Sequence, residues 1–227
     1  MSDARVVTID GPSGSGKGTI SRALARRVHW HLLDSGALYR LVALAGLERG
    51  LEPDDISGHI ELASIMEISF GTRADGGEEV TLFGRNVTSA VRSEVAGQGA
   101  SRVAAWPGVR SALLGRQRAF CRPPGLVADG RDMGTVVFPA AALKIFLTAT
   151  PAERALRRYK QLKDKGSDVS LPALSREIAE RDLRDSTREA SPLKAAPDAH
   201  VIDSTELAID AVVERVLGLG RNRSLWS

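Results

Sequence analysis

Residues 11–19 read GPSGSGKGT and follow directly on Val6, Val7, Thr8, Ile9 and Asp10, an apolar run closed by an acid. A buried strand, a glycine-rich loop and a lysine in that order describe an anion cradle at the head of a helix. The spacing Gly11, four residues, Gly16, Lys17 lets successive backbone N–H groups turn toward one anion, while Lys17 brings a movable positive charge to the β- and γ-phosphates. Glycine at 11, 14, 16 and 18 keeps side chains clear, so Pro12, Ser13, Ser15 and Thr19 complete the loop. Ile20, Leu24 and Val28 then form one apolar stripe at four-residue spacing, with Arg22, Arg26 and Arg27 off it. This predicts a helix whose N-terminus points at the anion. Gly18 stands where a hydroxyl side chain would reach Mg²⁺, and the hydroxyl comes one residue later at Thr19. The metal is therefore expected to be held largely by nucleotide and water.

Working outward, four more short apolar runs read as strands: 31–33, 126–128, 143–147 and 200–202, beside 6–9. Their exits are polar: Asp10, Asp34 with Ser35, Asp129, Thr148, and Asp203 with Ser204. Ligands of open parallel sheets bind at the carboxyl ends of strands, where these groups would gather, although any one Asp could equally be a turn or helix cap. Between 64 and 90 the period changes to two, with Ile68 and Phe70, then Val80 and Leu82, around a turn at Asp75, Gly76 and Gly77, and a third strand over 85–88. The expected fold class is α/β: a central parallel five-stranded sheet flanked by helices, with a small inserted antiparallel meander and a short lid. The polar stretch KQLKDKGSDVS, residues 160–170, with Gly166 as a hinge, reads as part of that lid or as a plain helix connection.

At 227 residues and 43% hydrophobic, the chain can bury one good core. Its lone cysteine, Cys121, excludes an intramolecular disulfide, and no run of 18 apolar residues or signal pattern is present. A soluble cytoplasmic protein is expected. The formal charge of +3 is mild, and no block of like charges with interleaved aromatics marks a nucleic-acid surface. The 31 basic residues comprise 25 Arg and 6 Lys, and Arg suits bidentate contacts to phosphate. From Leu174 the chain places Leu174, Ile178, Arg181, Asp185 and Arg188 on one side of a helix, with Leu183 opposite. A buried stripe that turns charged fits a helix leaving the core to line an anion-binding cleft; the alternative is a row of surface ion pairs worth about 0.2 to 0.5 kcal/mol each.

With GPSGSGKGT, HLLDSGALYR at 31–40, DGRDMGTVVFP at 129–139 and ERDLRDSTR at 180–188, the sequence resembles the bacterial cytidylate kinases nearly end to end. The resemblance implies a P-loop kinase that transfers the γ-phosphoryl group of ATP to CMP or dCMP with Mg²⁺. It implies one domain with a core at 1–60 and 123–220, a monophosphate-binding insertion at about 61–122 and a lid at about 157–171. By resemblance Ser35, Tyr39 and Arg40 lie at the monophosphate site, and Arg131, Arg181 and Arg188 hold its phosphate. Asp185 with Arg181 would contact the sugar, and Ser101, Arg110 and Asp132 would read the cytosine edge. Without the family, Ser101 and Arg110 read as surface helix. Asp129 would close the second nucleotide-binding strand and orient hydrated Mg²⁺. The catalytic set expected is Lys17, Asp129, Arg131, Arg181 and Arg188, with Arg154, Arg157 and Arg158 as candidates for charge stabilisation beside ATP. The family implies a monomer with no nucleic-acid or membrane partner. Competing readings are a kinase for another acceptor, a GTP-dependent switch, against which the lack of an NKxD run counts, and a basic nucleic-acid-binding module.

Overall fold

The apolar runs become the spine of an α/β fold in a computed structural model that describes residues 4–72, 78–164 and 166–226. In chain order the elements are β1 (Arg5–Asp10), α1 (Lys17–Val28), β2 (His31–Asp34), α2 (Ser35–Glu48), α3 (Ile56–Ile65), β3 (Ile68–Thr72), β4 (Glu78–Leu82), β5 (Arg85–Asn86), α4 (Glu94–Val103), α5 (Pro107–Arg118), β6 (Gly125–Gly130), β7 (Leu143–Thr148), α6 (Pro151–Lys163), α7 (Leu171–Thr187), β8 (His200–Asp203) and α8 (Ile209–Arg221). They fall into two compact units, one of residues 1–34 with 117–227 and one of residues 35–116.

The first unit holds a parallel sheet in the order β2-β6-β1-β7-β8, whose five strands are those expected, each longer by one to three residues. Parallel neighbours need crossovers and are covered on both faces, which is why β1 and β6 are buried almost throughout. Val7, Ile9, Leu143 and Ile145 from the sheet, Ile20 and Leu24 from α1, and Val212 and Val216 from α8 belong to one core. The central strand β1 pairs Asp10 with Gly130 of β6 on one side and Phe146 of β7 on the other, so the glycine-rich loop leaves the middle of the sheet at its carboxyl edge.

At the amino edge the C-terminal tail closes the core. Trp226 meets Trp30 edge-on with centroids 5.4 Å apart and donates from Nε1 to the Leu217 carbonyl at 3.1 Å. Arg5 Nη1 donates to the Ser224 and Leu225 carbonyls at 2.6 and 2.8 Å. A Cβ at Gly125 would meet Trp30, and one at Gly220 would overlap Trp226.

In the second unit β3 and β4 pair antiparallel, with Ile68 opposite Leu82 and Phe70 opposite Val80. Val80 and Leu82 are buried, whereas Phe70 is exposed. The expected turn at Asp75, Gly76 and Gly77 lies outside the described residues. The third strand, expected over 85–88, is limited to Arg85–Asn86. Val87 N–H still reaches the Val80 carbonyl at 2.8 Å, but Val80 N–H is accepted by the Thr88 hydroxyl at 2.9 Å, so a side chain ends the ladder. The helix α2 packs on α3 and α4. Caps set two helix starts: Asp55 accepts from Gly58 N–H before α3, and Ser93 from Ala96 N–H before α4. Residues 157–163 of the expected lid are the last turns of α6, and residues 164–170 join α6 to α7, Lys165 lying outside the described residues. Among the described residues no helix is long and apolar enough to cross a membrane.

Candidate active site

The loop between β1 and α1 is shaped by close approach. Gly11, at φ 152°, lies so near β7 that a Cβ there would sit 2.0 Å from the Leu147 carbonyl oxygen. Two arginines then fix the loop's peptide planes. Arg154 Nη1 donates to the Ser13 carbonyl at 3.1 Å, and Arg157 Nη1 to the Ser15 carbonyl at 3.4 Å, which also accepts from the Ser204 hydroxyl at 3.1 Å. In a trans peptide the following N–H points away from the carbonyl, so anchoring these oxygens turns the Gly14 and Gly16 amides the opposite way. Ser15 Oγ and Lys17 Nζ both donate to the Pro12 carbonyl, at 3.0 and 2.9 Å, and Thr19 and Ile20 N–H groups close α1 on the Gly16 carbonyl. Thr19 itself is exposed.

Lys17 is buried, and burial pushes its ammonium down to about 7, with Arg131 and Arg181 pushing the same way and Asp129 and Asp185 opposing. Asp129, at the carboxyl end of β6, is raised by burial and by Asp34, against the pull of Lys17 and Arg131. Three guanidiniums share Asp185: Arg131 Nε donates to it at 3.0 Å, Arg188 Nη1 lies 3.9 Å away, and Arg181 acts through its charge. Burial resists ionisation of Asp185, but together these three hold it below the ordinary carboxylate range. As the helical periodicity implied, Leu174, Ile178 and Asp185 are buried on α7 while Leu183 is exposed. Arg188 sits just beyond the helix, its Nε donating to the Ser191 carbonyl at 2.6 Å.

Asp132 is buried, and its carbonyl accepts from Val136 and Val137 N–H groups at the start of a wide turn over Met133–Val137. That turn hangs on Asp10, whose two carboxylate oxygens accept from the Met133 and Gly134 N–H groups, each at 2.8 Å. Burial outweighs those two bonds and pushes Asp10 up to about 7.

Hard oxygen donors bound partly through water are the environment Mg²⁺ favours. The residues present fit such an ion. Asp129 holds its carboxylate over the first turn of α1, with Oδ2 3.3 Å from where a Cβ at Gly18 would stand and Arg22 3.5 Å from the same point. The space a hydroxyl side chain would need at Gly18 is thus flanked by an acid and a guanidinium. Among the described residues no cluster of three or more His, Cys, Asp or Glu could cage a metal.

The second unit gathers other predicted residues. Ser35 is buried at the start of α2, and Tyr39, one turn on, lies under the Arg110 guanidinium, 5.4 Å from ring centroid to Cζ. Arg40 donates to the Val91 and Ser93 carbonyls at 3.2 and 3.0 Å and packs against Gly97 of α4. Ser101 and Arg110 correct the surface-helix reading: they are 5% and 8% exposed, and Arg110 Nη1 donates to the Ala104 carbonyl at 3.0 Å. Arg157 stays with the loop, its Nη2 on the Ser204 carbonyl at 2.5 Å, whereas Arg158 bonds Gln161 along its own helix. Sequence reasoning missed the roles of Asp10, Ser204 and Asp182; the first two were visible only as polar strand exits.

The family model for cytidylate kinase matches residues 7–222. A cytidylate kinase from Azotobacter vinelandii is 57% identical over 213 residues, 93% of each chain, and one from Pseudomonas syringae pv. syringae is 58% identical over 215 residues, 94% of each. Among solved structures, shikimate kinase from Bacteroides thetaiotaomicron covers 96% of this chain and 98% of its own at 12% identity and a TM-score of 0.47. With the family model spanning nearly the whole sequence and more than half of all aligned positions identical to these two relatives, the chain belongs to the cytidylate kinase family.

Proposed function

We propose that the protein transfers the γ-phosphoryl group of ATP to CMP or dCMP, giving ADP and CDP or dCDP by direct in-line attack of an acceptor phosphate oxygen. One observation carries this reading beside the family: Lys17, Arg131, Arg181 and Arg188 converge on Asp129 and Asp185 at the mouth of a phosphate loop. Such an array offsets the repulsion of two polyanions and then aligns them, and phosphoryl transfer asks for little else.

Residues 11–19 cradle the ATP phosphates, and Lys17 leaves the Pro12 carbonyl for the β- and γ-oxygens. Arg131, Arg181 and Arg188 hold the acceptor phosphate, and Asp185 with Arg181 takes the sugar. Ser35, Tyr39 and Arg40 serve the monophosphate. Ser101, Arg110 and Asp132 read cytosine, whose amino donor beside acceptors suits an acid with hydroxyl and guanidinium donors. Uracil reverses that donor and leaves Asp132 poorly paired, a mismatch that discriminates strongly. Asp129 would hold the hydration shell of Mg²⁺, which arrives with ATP and takes up charge on its phosphate oxygens. Arg157 secures the loop rather than the phosphates, and Arg158 serves ATP from the rim. Within this scheme the insertion at about 61–122 acts as the monophosphate-binding part and about 157–171 as the lid. The enzyme works as a cytoplasmic monomer on free nucleotides.

ADP release with ATP and Mg²⁺ is the test, across CMP, dCMP, UMP, AMP, GMP and shikimate. Turnover with CMP and dCMP far above the rest is expected. A preferred acceptor other than these overturns the base-reading assignments, and silence throughout overturns the transfer itself.

A further inference from the structure

We infer that Arg154 and Asp182 form a latch that registers α7 against the phosphate loop, so that both are positioning residues for the transfer. The inference rests on the function just proposed. Arg154 is 3% exposed, and its guanidinium makes four hydrogen bonds. Nη1 reaches the Ser13 carbonyl at 3.1 Å and Asp182 Oδ1 at 3.0 Å, Nη2 reaches Asp182 Oδ2 at 2.5 Å, and Nε reaches the Ala149 carbonyl at 3.0 Å. One planar group therefore joins the phosphate loop, the end of β7 and α7 by a two-pronged ion pair, the geometry in which arginine gives orientation as well as attraction. In this arrangement Arg154 acts on the ATP side through the Ser13 carbonyl of the loop.

The latch matters because of what holds α7. Its buried apolar residues, Leu174 and Ile178, lie in its first half, and beyond them the buried residue is Asp185. The half bearing Arg181 and leading to Arg188 is thus held by charge: Asp185 toward Arg131, and Asp182, one residue after Arg181, toward Arg154. Removing Asp182 leaves Arg154 on Ser13 and Ala149, so the ATP side keeps its shape while the acceptor side loses its register. A displacement of about 1 Å in such groups costs about 100-fold in rate. The Asp182 side chain is 28% exposed, so its loss frees a helix end without opening the core.

The test compares Asp182→Asn and Asp182→Glu with the unaltered protein. For Asp182→Asn, kcat/KM for CMP is expected to fall about 30- to 100-fold, carried mainly by acceptor KM, with ADP affinity by calorimetry within about twofold. Hydrogen exchange is expected to quicken in residues 179–188 alone. Asp182→Glu, which keeps the charge, recovers most of the loss. Acceptor kcat/KM within about threefold of the unaltered protein overturns the latch, as does a parallel loss of ADP affinity, acceptor use and melting temperature, which marks plain destabilisation. The exchange measurement needs no acceptor, so it tests the latch even if CMP proves not to be the substrate.

Discussion

The two edges of one parallel sheet are built on opposite terms. At the carboxyl edge, Lys17 and Asp129 are buried against the preference of both for water, and Arg131, Arg181 and Arg188 crowd one carboxylate. At the amino edge, Trp30, Trp226 and Leu225 interlock with Gly125 and Gly220. The first edge holds charge in readiness for ligands at a cost in stability; the second supplies apolar closure that offsets it. Under the proposed function, catalytic preorganisation and fold stability are expected to be separable by position.

Lys17→Met should break the first edge most visibly, lowering kcat/KM by about a thousandfold or more, read in the coupled ADP assay. The same change should raise the melting temperature of the ligand-free protein. The folded-state pKa of Lys17 lies below its unfolded value, so folding disfavours the charged form. That penalty is full below about pH 7 and relieved as pH climbs toward the unfolded value. The variant's advantage should therefore be largest at pH 6 to 7 and shrink toward pH 10; a melting temperature below that of the unaltered protein at pH 6 would refute the charge argument.

Trp226→Ala attacks the other edge. It should cost about 2 to 4 kcal/mol by denaturant unfolding while leaving kcat at 25 °C unchanged. A matching fall in kcat would show that the edges are coupled after all.

A gentler probe reads protons rather than rates. Burial holds the Lys17 ammonium below the ordinary lysine range in the free protein, and a bound polyphosphate should favour its charged form. Calorimetry of ATP in buffers of different ionisation enthalpy should then show uptake of a fraction of a proton at pH 8, absent in Lys17→Met. Smallest of all should be Arg27→Ala. Its pair with Glu214 lies at 2.8 Å with both side chains more than half exposed, and its removal should move stability by about 0.5 kcal/mol or less.

What could be read from the sequence was what repeats locally. The phosphate loop, the five strands and the charged stripe of α7 each declare themselves through fixed spacing within a few residues. Asp182 and Arg154 do not, because 28 residues separate them and Asp182 sits among other charges on a polar helix. Ser101 and Arg110 were hidden for a different reason: a serine and an arginine on a helix look like solvent-facing residues until the packing of α2 on α4 and the Tyr39 ring cover them. The tail was hidden because Trp226 has no periodic partner; its place is set by the hole that Gly220 leaves.

Gly11 carries a consequence for heredity. Every missense change in its codon adds a side chain that would strike the Leu147 carbonyl, so this codon has no neutral missense neighbour. Gly50 and Gly84 also have positive φ, but their missing side chains would point into open space. In a saturation library selected for growth on this enzyme, codon 11 should return glycine alone, whereas codons 50 and 84 should drift toward asparagine and aspartate.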